Sequence, residues 1–202
     1  MRLAGVVALT LGAALAQADR LITIPTARKL PLGTVRYEFR GETVSHGETE
    51  NFLAAGISTS FDMELRTIDE PGRKTEGTFD LSYNFVAPIP GLTPGLSLGL
   101  QDATDKTPDG RRFFGAATFR PQFSTLNGDF PADVTLGVFG GRHWSPFVGV
   151  LVPFSKEFHF LAEHNGERIA VGFEYRPVQL FNLRYQVIGK RSELGAQVTT
   201  KF

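Results

Sequence analysis

Glu193-Leu194-Gly195-Ala196-Gln197-Val198-Thr199-Thr200-Lys201-Phe202 alternates to its last residue. Leu194, Ala196, Val198, Thr200 and Phe202 fall on one face, and Glu193, Gln197, Thr199 and Lys201 on the other. Side chains repeat every second residue only in an extended strand, so the segment reads as β-structure with one apolar and one polar side. A strand that keeps this pattern to its end is not a frayed tail. Its apolar stripe suits a strand that closes a membrane barrel, with lipid outside and a polar interior.

The pattern resembles the last strand of bacterial outer-membrane β-barrels. That resemblance implies that Phe202 is part of an assembly signal read by the barrel-assembly machinery. The other end agrees. Met1-Arg2 is a short basic start, Leu3 to Leu15 is an apolar run, and Ala16-Gln17-Ala18 has the small-x-small form of a signal-peptidase site. The run is short of the roughly 20 apolar residues a spanning helix needs. Residues 1–18 therefore read as a cleaved signal peptide, 19–33 as an N-terminal periplasmic entry segment and 34–202 as the barrel.

Composition narrows the class further. The chain has 202 residues with 18 Phe, 22 Gly, one Trp and no Cys. Many Phe and Gly suit strands that show rings on one side and small residues where space is tight. Without Cys, no disulfide or thiol chemistry is available. Lys plus Arg and Asp plus Glu are 21 each, so no global charge argues for nucleic acid. After residue 18 no apolar stretch is long enough for a transmembrane helix, so a membrane location demands a closed barrel.

Period-2 segments bounded by turn signals recur at 34–43, 51–59, 61–67, 78–87, 96–101, 112–120, 134–139, 146–154, 158–163, 168–176, 181–188 and 193–202. The clearest sets Phe79, Leu81, Tyr83 and Phe85 against Thr78, Asp80, Ser82 and Asn84. The fold expected is all-β: a transmembrane antiparallel barrel of about 12 strands, within a range of about 10–14. Segments 51–59 and 146–154 set that range, the first ambiguous in facing and the second apolar on both faces. An even count puts both barrel termini at one end. The charged loops 41–50, 68–77 and 102–111 then share the other end. A soluble β-sandwich also alternates, but it has no need for closely spaced charges opposite its aromatics.

With the aromatic face outward, the interior collects Arg36, Arg40, Arg66, Arg168, Arg176, Arg184 and Lys201 with Glu38, Asp62, Glu64, Asp80, Glu163, Glu174 and Glu193. Arg112, Arg120 and Asp133 lie near strand ends and are set apart. Seven of each sign predict a self-satisfying network in a filled lumen, where a selective pore would show an excess of one sign.

His143-Trp144-Ser145 is the one local pattern suggesting chemistry. It resembles the His-x-Ser pair of outer-membrane lipid hydrolases. That resemblance implies His143 as general base and Ser145 as acyl acceptor, with Glu163 on the neighbouring strand to orient His143. Pro146 departs from the Asn usual after that pair, and Trp144 reads more simply as an interfacial anchor. The expectation is therefore no enzyme. His46 and His159 have no ligand spacing, so no metal or other cofactor is expected.

The stretch Ile24-Pro25-Thr26-Ala27-Arg28-Lys29-Leu30-Pro31-Leu32-Gly33-Thr34 resembles the start of YjbH-like outer-membrane proteins. The resemblance implies a barrel unit associated with exopolysaccharide production and export, and it brings no catalytic residues. The partners expected are outer-membrane lipid, the assembly machinery and polysaccharide-export components. No nucleic acid is expected, and the chain is expected to be a monomer. A structural or transport-accessory envelope role leads. A small diffusion channel and a lipid hydrolase are the alternatives.

Overall fold

In the computed structural model, residues 20–44, 47–125 and 128–202 are described. They form strands and turns, with no helix. The expected signal peptide and His46 lie outside them. The strands are β1 (Thr34–Glu42), β2 (Thr49–Gly56), β3 (Phe61–Asp69), β4 (Glu76–Val86), β5 (Gly95–Gln101), β6 (Arg112–Phe119) and β7 (Gln122–Thr125), followed by β8 (Gly128–Pro131), β9 (Asp133–Gly140), β10 (Ser145–Pro153), β11 (Phe158–His164), β12 (Ile169–Val178), β13 (Phe181–Ile188) and β14 (Arg191–Lys201).

Twelve of them close into one antiparallel barrel in the order β1-β14-β13-β12-β11-β10-β9-β6-β5-β4-β3-β2. The seam is the one the alternation predicts: Thr34 pairs with Lys201, Glu38 with Gln197 and Glu42 with Glu193. The remaining two strands, β7 and β8, form a separate hairpin in which Phe123 faces Phe130. The sequence reading had this stretch as a plain turn.

Residue type decides which face points out. Tyr37, Phe39, Leu53, Leu65, Tyr83, Leu98, Phe113, Phe173, Leu183 and Leu194 are all exposed, whereas their strand neighbours Arg36, Glu38, Phe52, Glu64, Arg184 and Glu193 are buried. Rings on paired strands meet outside: Phe158 stacks on Tyr175 at 4.7 Å, and Phe160 lies 5.4 Å from Phe173. Such cross-strand aromatic pairs stabilise a sheet by ~0.2–1 kcal/mol each.

Both barrel termini lie at one end, here the near end. The charge-rich loops 70–75 and 102–111 lie at the far end, along with the short connections 141–144, 165–168 and 189–190.

The main departure from expectation concerns residues 20–33. They do not lead up to the barrel from outside it. Leu21, Ile22, Ile24, Ala27 and Leu30 are buried, and their partners are side chains of the inner wall. Entering at the near end through Gly33 (φ 74°), the chain runs up the lumen and doubles back in a tight turn. There Leu21 N–H donates to the Ile24 carbonyl at 2.9 Å, and Arg20 bridges to Pro25.

Candidate functional site: a filled lumen

An extended segment enclosed in a barrel has no neighbouring strand, so its backbone polar groups must bond to luminal side chains. They do so one by one. Glu163 on β11 accepts from Ile22 N–H at 2.9 Å and Thr23 N–H at 2.8 Å, and from the Thr23 hydroxyl at 2.5 Å. Arg184 on β13 donates to the Leu21 carbonyl at 2.9 Å, and Arg40 on β1 to the Ile22 carbonyl at 3.0 Å. Lower down, Ser97 donates to the Thr26 carbonyl, Ala27 N–H to the Thr118 hydroxyl and Leu30 N–H to Asp62. Pro25 and Pro31 have no N–H to satisfy.

The lumen holds an apolar cluster. Leu21, Ile22 and Ile24 pack with Phe114, Ala116, Phe139, Phe147, Leu151, Leu161, Ala170 and Ile188, all from β6 and β9–β13. This explains why 146–154 reads as apolar on both faces: Phe147 and Leu151 face a greasy guest. A Cβ at Gly149 would stand 2.6 Å from both Leu21 Cδ2 and Ile24 Cδ1, so any side chain there must push the ends of both aside. Gly56 makes the same allowance beneath the Pro31 carbonyl.

Ion pairs line the lumen around and below this cluster, on β1, β3, β9, β12 and β13. Arg20 pairs with Glu64 and, at 2.9 Å, with Glu38; Arg36 reaches Glu64 at 2.6 Å and Arg40 reaches Glu38 at 2.5 Å. The Arg20 guanidinium also lies over the Phe52 ring, 3.8 Å from its centroid. Arg184 bonds Glu174 at 2.6 Å, Arg176 pairs with Glu174, and Gln186 donates to Glu193. Near the entry, Arg28 pairs with Asp133, which also takes Arg120 at 3.0 Å.

The interior charges expected from the sequence thus mostly meet, with differences. Arg168 is half-exposed at the far rim, 3.7 Å from Asp109, and Lys201 is exposed at the near end. Arg66 bonds Glu50, which the sequence places in the loop 41–50 and the structure on β2. Asp80 accepts from Asp102 N–H, in the loop beyond β5.

The even balance does not hold for the buried wall. Among the described residues, Glu38, Asp62, Glu64, Asp133, Glu163, Glu174 and Glu193 are buried there with Arg36, Arg40 and Arg184, while the part-buried Arg120 and Arg176 reach in to Asp133 and Glu174, which still leaves acid in excess. Arg20 and Arg28, the two buried cations of the enclosed segment, offset part of this excess of acid. Sequence reasoning missed both, and it set Asp133 aside as a strand-end residue. The usable signal was the inward apolar face of β10, which requires an apolar partner inside.

The residues of the hydrolase pattern do not assemble as expected. His143 Nε2 lies 3.4 Å from Glu167 Oε1, Ser145 is buried, and Glu163 is taken up by Ile22 and Thr23. Trp144 is 78% exposed, and Phe202 is 86% exposed with its N–H on the Gly33 carbonyl. Among the described residues, no group of three or more His, Asp or Glu is placed to hold a metal.

Above the turn at 20–25 the far mouth of the barrel stays open as a charged cup of about 460 Å³, with Arg20, Ile22 and Thr23 at its floor, Arg66, Arg112 and Glu193 in its walls and the loops 70–75 and 102–111 at its rim. The barrel is therefore plugged by its own chain below a far-end cup. No family model and no curated protein matches the chain.

Proposed function

We propose that this protein is an outer-membrane β-barrel of a bacterial envelope, closed by its own N-terminal segment, with a structural or transport-accessory role. The carrying observation is the distribution of side chains. Leu, Val, Phe and Tyr from every barrel strand point outward, and carboxylates and guanidinium groups point in. In water this arrangement exposes apolar surface on all sides, whereas in a bilayer it satisfies both faces.

The N-terminal resemblance to YjbH-like proteins supports a link to exopolysaccharide export, with the far-end cup as the surface offered to envelope components. An open diffusion channel is the weaker reading, because residues 20–33 occupy the lumen.

On unheated detergent gels the folded protein should run faster than after boiling. Recovery as a soluble protein without detergent would overturn the membrane reading. Planar-bilayer recordings of the intact protein should be silent, and sustained conductance steps would overturn the closed one.

A further inference from the structure

We propose that the lumen is a binding site for an extended peptide, which the chain fills in cis with residues 20–31. The ligand class is an aliphatic stretch flanked by guanidinium groups. The wall is built for such a guest. Glu163 captures two consecutive backbone N–H groups, while Arg40 and Arg184 take two consecutive carbonyls. This is recognition of main chain, independent of side-chain identity. Selectivity comes from three further features: the apolar wall against Leu21, Ile22 and Ile24, the carboxylates Glu38 and Glu64 on Arg20, and Asp133 on Arg28. Gly56 and Gly149 are the clearances that let the peptide backbone and its aliphatic side chains approach.

Among the described residues, the guest is held by non-covalent contacts and by its connection through Leu32 and Gly33 to β1. Leu32 is exposed at the near end. Once the guest leaves, the wall keeps its excess of buried carboxylates, so the vacated lumen is a passage that favours cations. The peptide site does not depend on the membrane reading, whereas the conducting state rests on it.

The test uses the full chain in detergent, with a protease recognition sequence inserted after Leu32. After cleavage the N-terminal fragment should co-purify with the barrel. It should then exchange with an excess of a labelled synthetic peptide of residues 20–31. The same peptide carrying Arg20→Glu and Arg28→Glu should compete at least about a hundredfold more weakly, since each change opposes buried carboxylates. Reconstituted barrels emptied of the fragment should conduct and prefer cations, and adding the peptide should close them.

Immediate loss of the fragment from a barrel that stays folded by circular dichroism, or equal competition by the charge-reversed peptide, would overturn the proposal. A second measurement needs no cleavage. The chain has no Cys, so Ile22→Cys and Leu32→Cys each introduce a unique thiol. Ile22→Cys should react with a water-soluble maleimide far more slowly than Leu32→Cys, and equal rates would sink the occupied site. Exchange and labelling are both read in detergent, so they stand or fall separately from membrane insertion.

Discussion

Glu163 shows how much one side chain can hold when an enclosed backbone has no strand beside it. Its two oxygens serve three main-chain donors, Ile22, Thr23 and, at 3.4 Å, Ile24, and a hydroxyl. Glu163→Gln keeps one carbonyl acceptor and turns the other position into a donor facing N–H groups. This should lower stability by ~1–3 kcal/mol, read as a lower melting temperature by circular dichroism. Gly149 is the steric counterpart. Gly149→Val drives two methyl groups into Leu21 and Ile24, and overpacking of this kind costs ~1–3 kcal/mol. The double variant Gly149→Val/Ile24→Ala should recover part of that loss, because the second change removes the atoms the first one meets. Asp133 is the residue most easily misjudged. As the first residue of β9, next to a turn, it reads as a solvated strand end, and only the segment passing inside makes it an ion-pair centre.

Among the elements, the loop 102–111 is organised by its own carboxylates, and Asp102 and Asp105 adopt positive φ. Asp102 accepts from Lys106 N–H at 2.8 Å, Thr107 N–H at 2.6 Å and the Thr78 hydroxyl at 2.7 Å. Burial alone would raise its carboxyl, but these hydrogen bonds together outweigh burial and hold the pKa below its ordinary value. A depressed carboxyl favours the folded loop above the unfolded value, near ~3.9, and that contribution disappears as pH falls through the lower folded value. Amide exchange at Lys106 and Thr107, corrected for intrinsic rates, should therefore stay slow from neutral pH down to about 4 and accelerate only below it. Asp102→Asn should abolish that pH dependence. The strands themselves were legible because period 2 is a local signal, and the seam followed from an even count. The luminal segment was not. It has no period, its donors go to side chains rather than to a neighbouring strand, and its prolines read equally well as a tether outside the barrel. Alternation had already marked 146–154 as odd, and that oddity was the imprint of the segment.

At the scale of the whole molecule, the barrel carries more buried acid in its wall than base, and the enclosed segment brings Arg20 and Arg28 to it. Removing the Arg20 guanidinium leaves Glu64 to Arg36 and Glu38 to Arg40, each with one cation fewer in a buried network. Arg20→Met should cost ~3–5 kcal/mol, as expected when one partner of a buried ion pair is lost. Arg73→Met, an exposed loop pair with Glu70, should cost under ~1 kcal/mol. Thermal unfolding of the two variants side by side checks the contrast. Many of the charges expected inside do pair. Counting confined to strands left out Arg20 and Arg28, which the enclosed segment adds.

The seam between β1 and β14 joins residues at opposite ends of the chain, and the segment inside it bonds across almost the same span. Ile22 meets Glu163 over 141 positions, and Leu21 meets Arg184 over 163. Contacts so remote along the chain form late, because the loop they close is nearly the entire polypeptide. Both the seam and the filling thus rest on contacts between the first and the last strands of the barrel. A chain whose closure and whose plug both depend on its most distant parts is expected to fold slowly, and neither can be complete before β11 to β14 are in place.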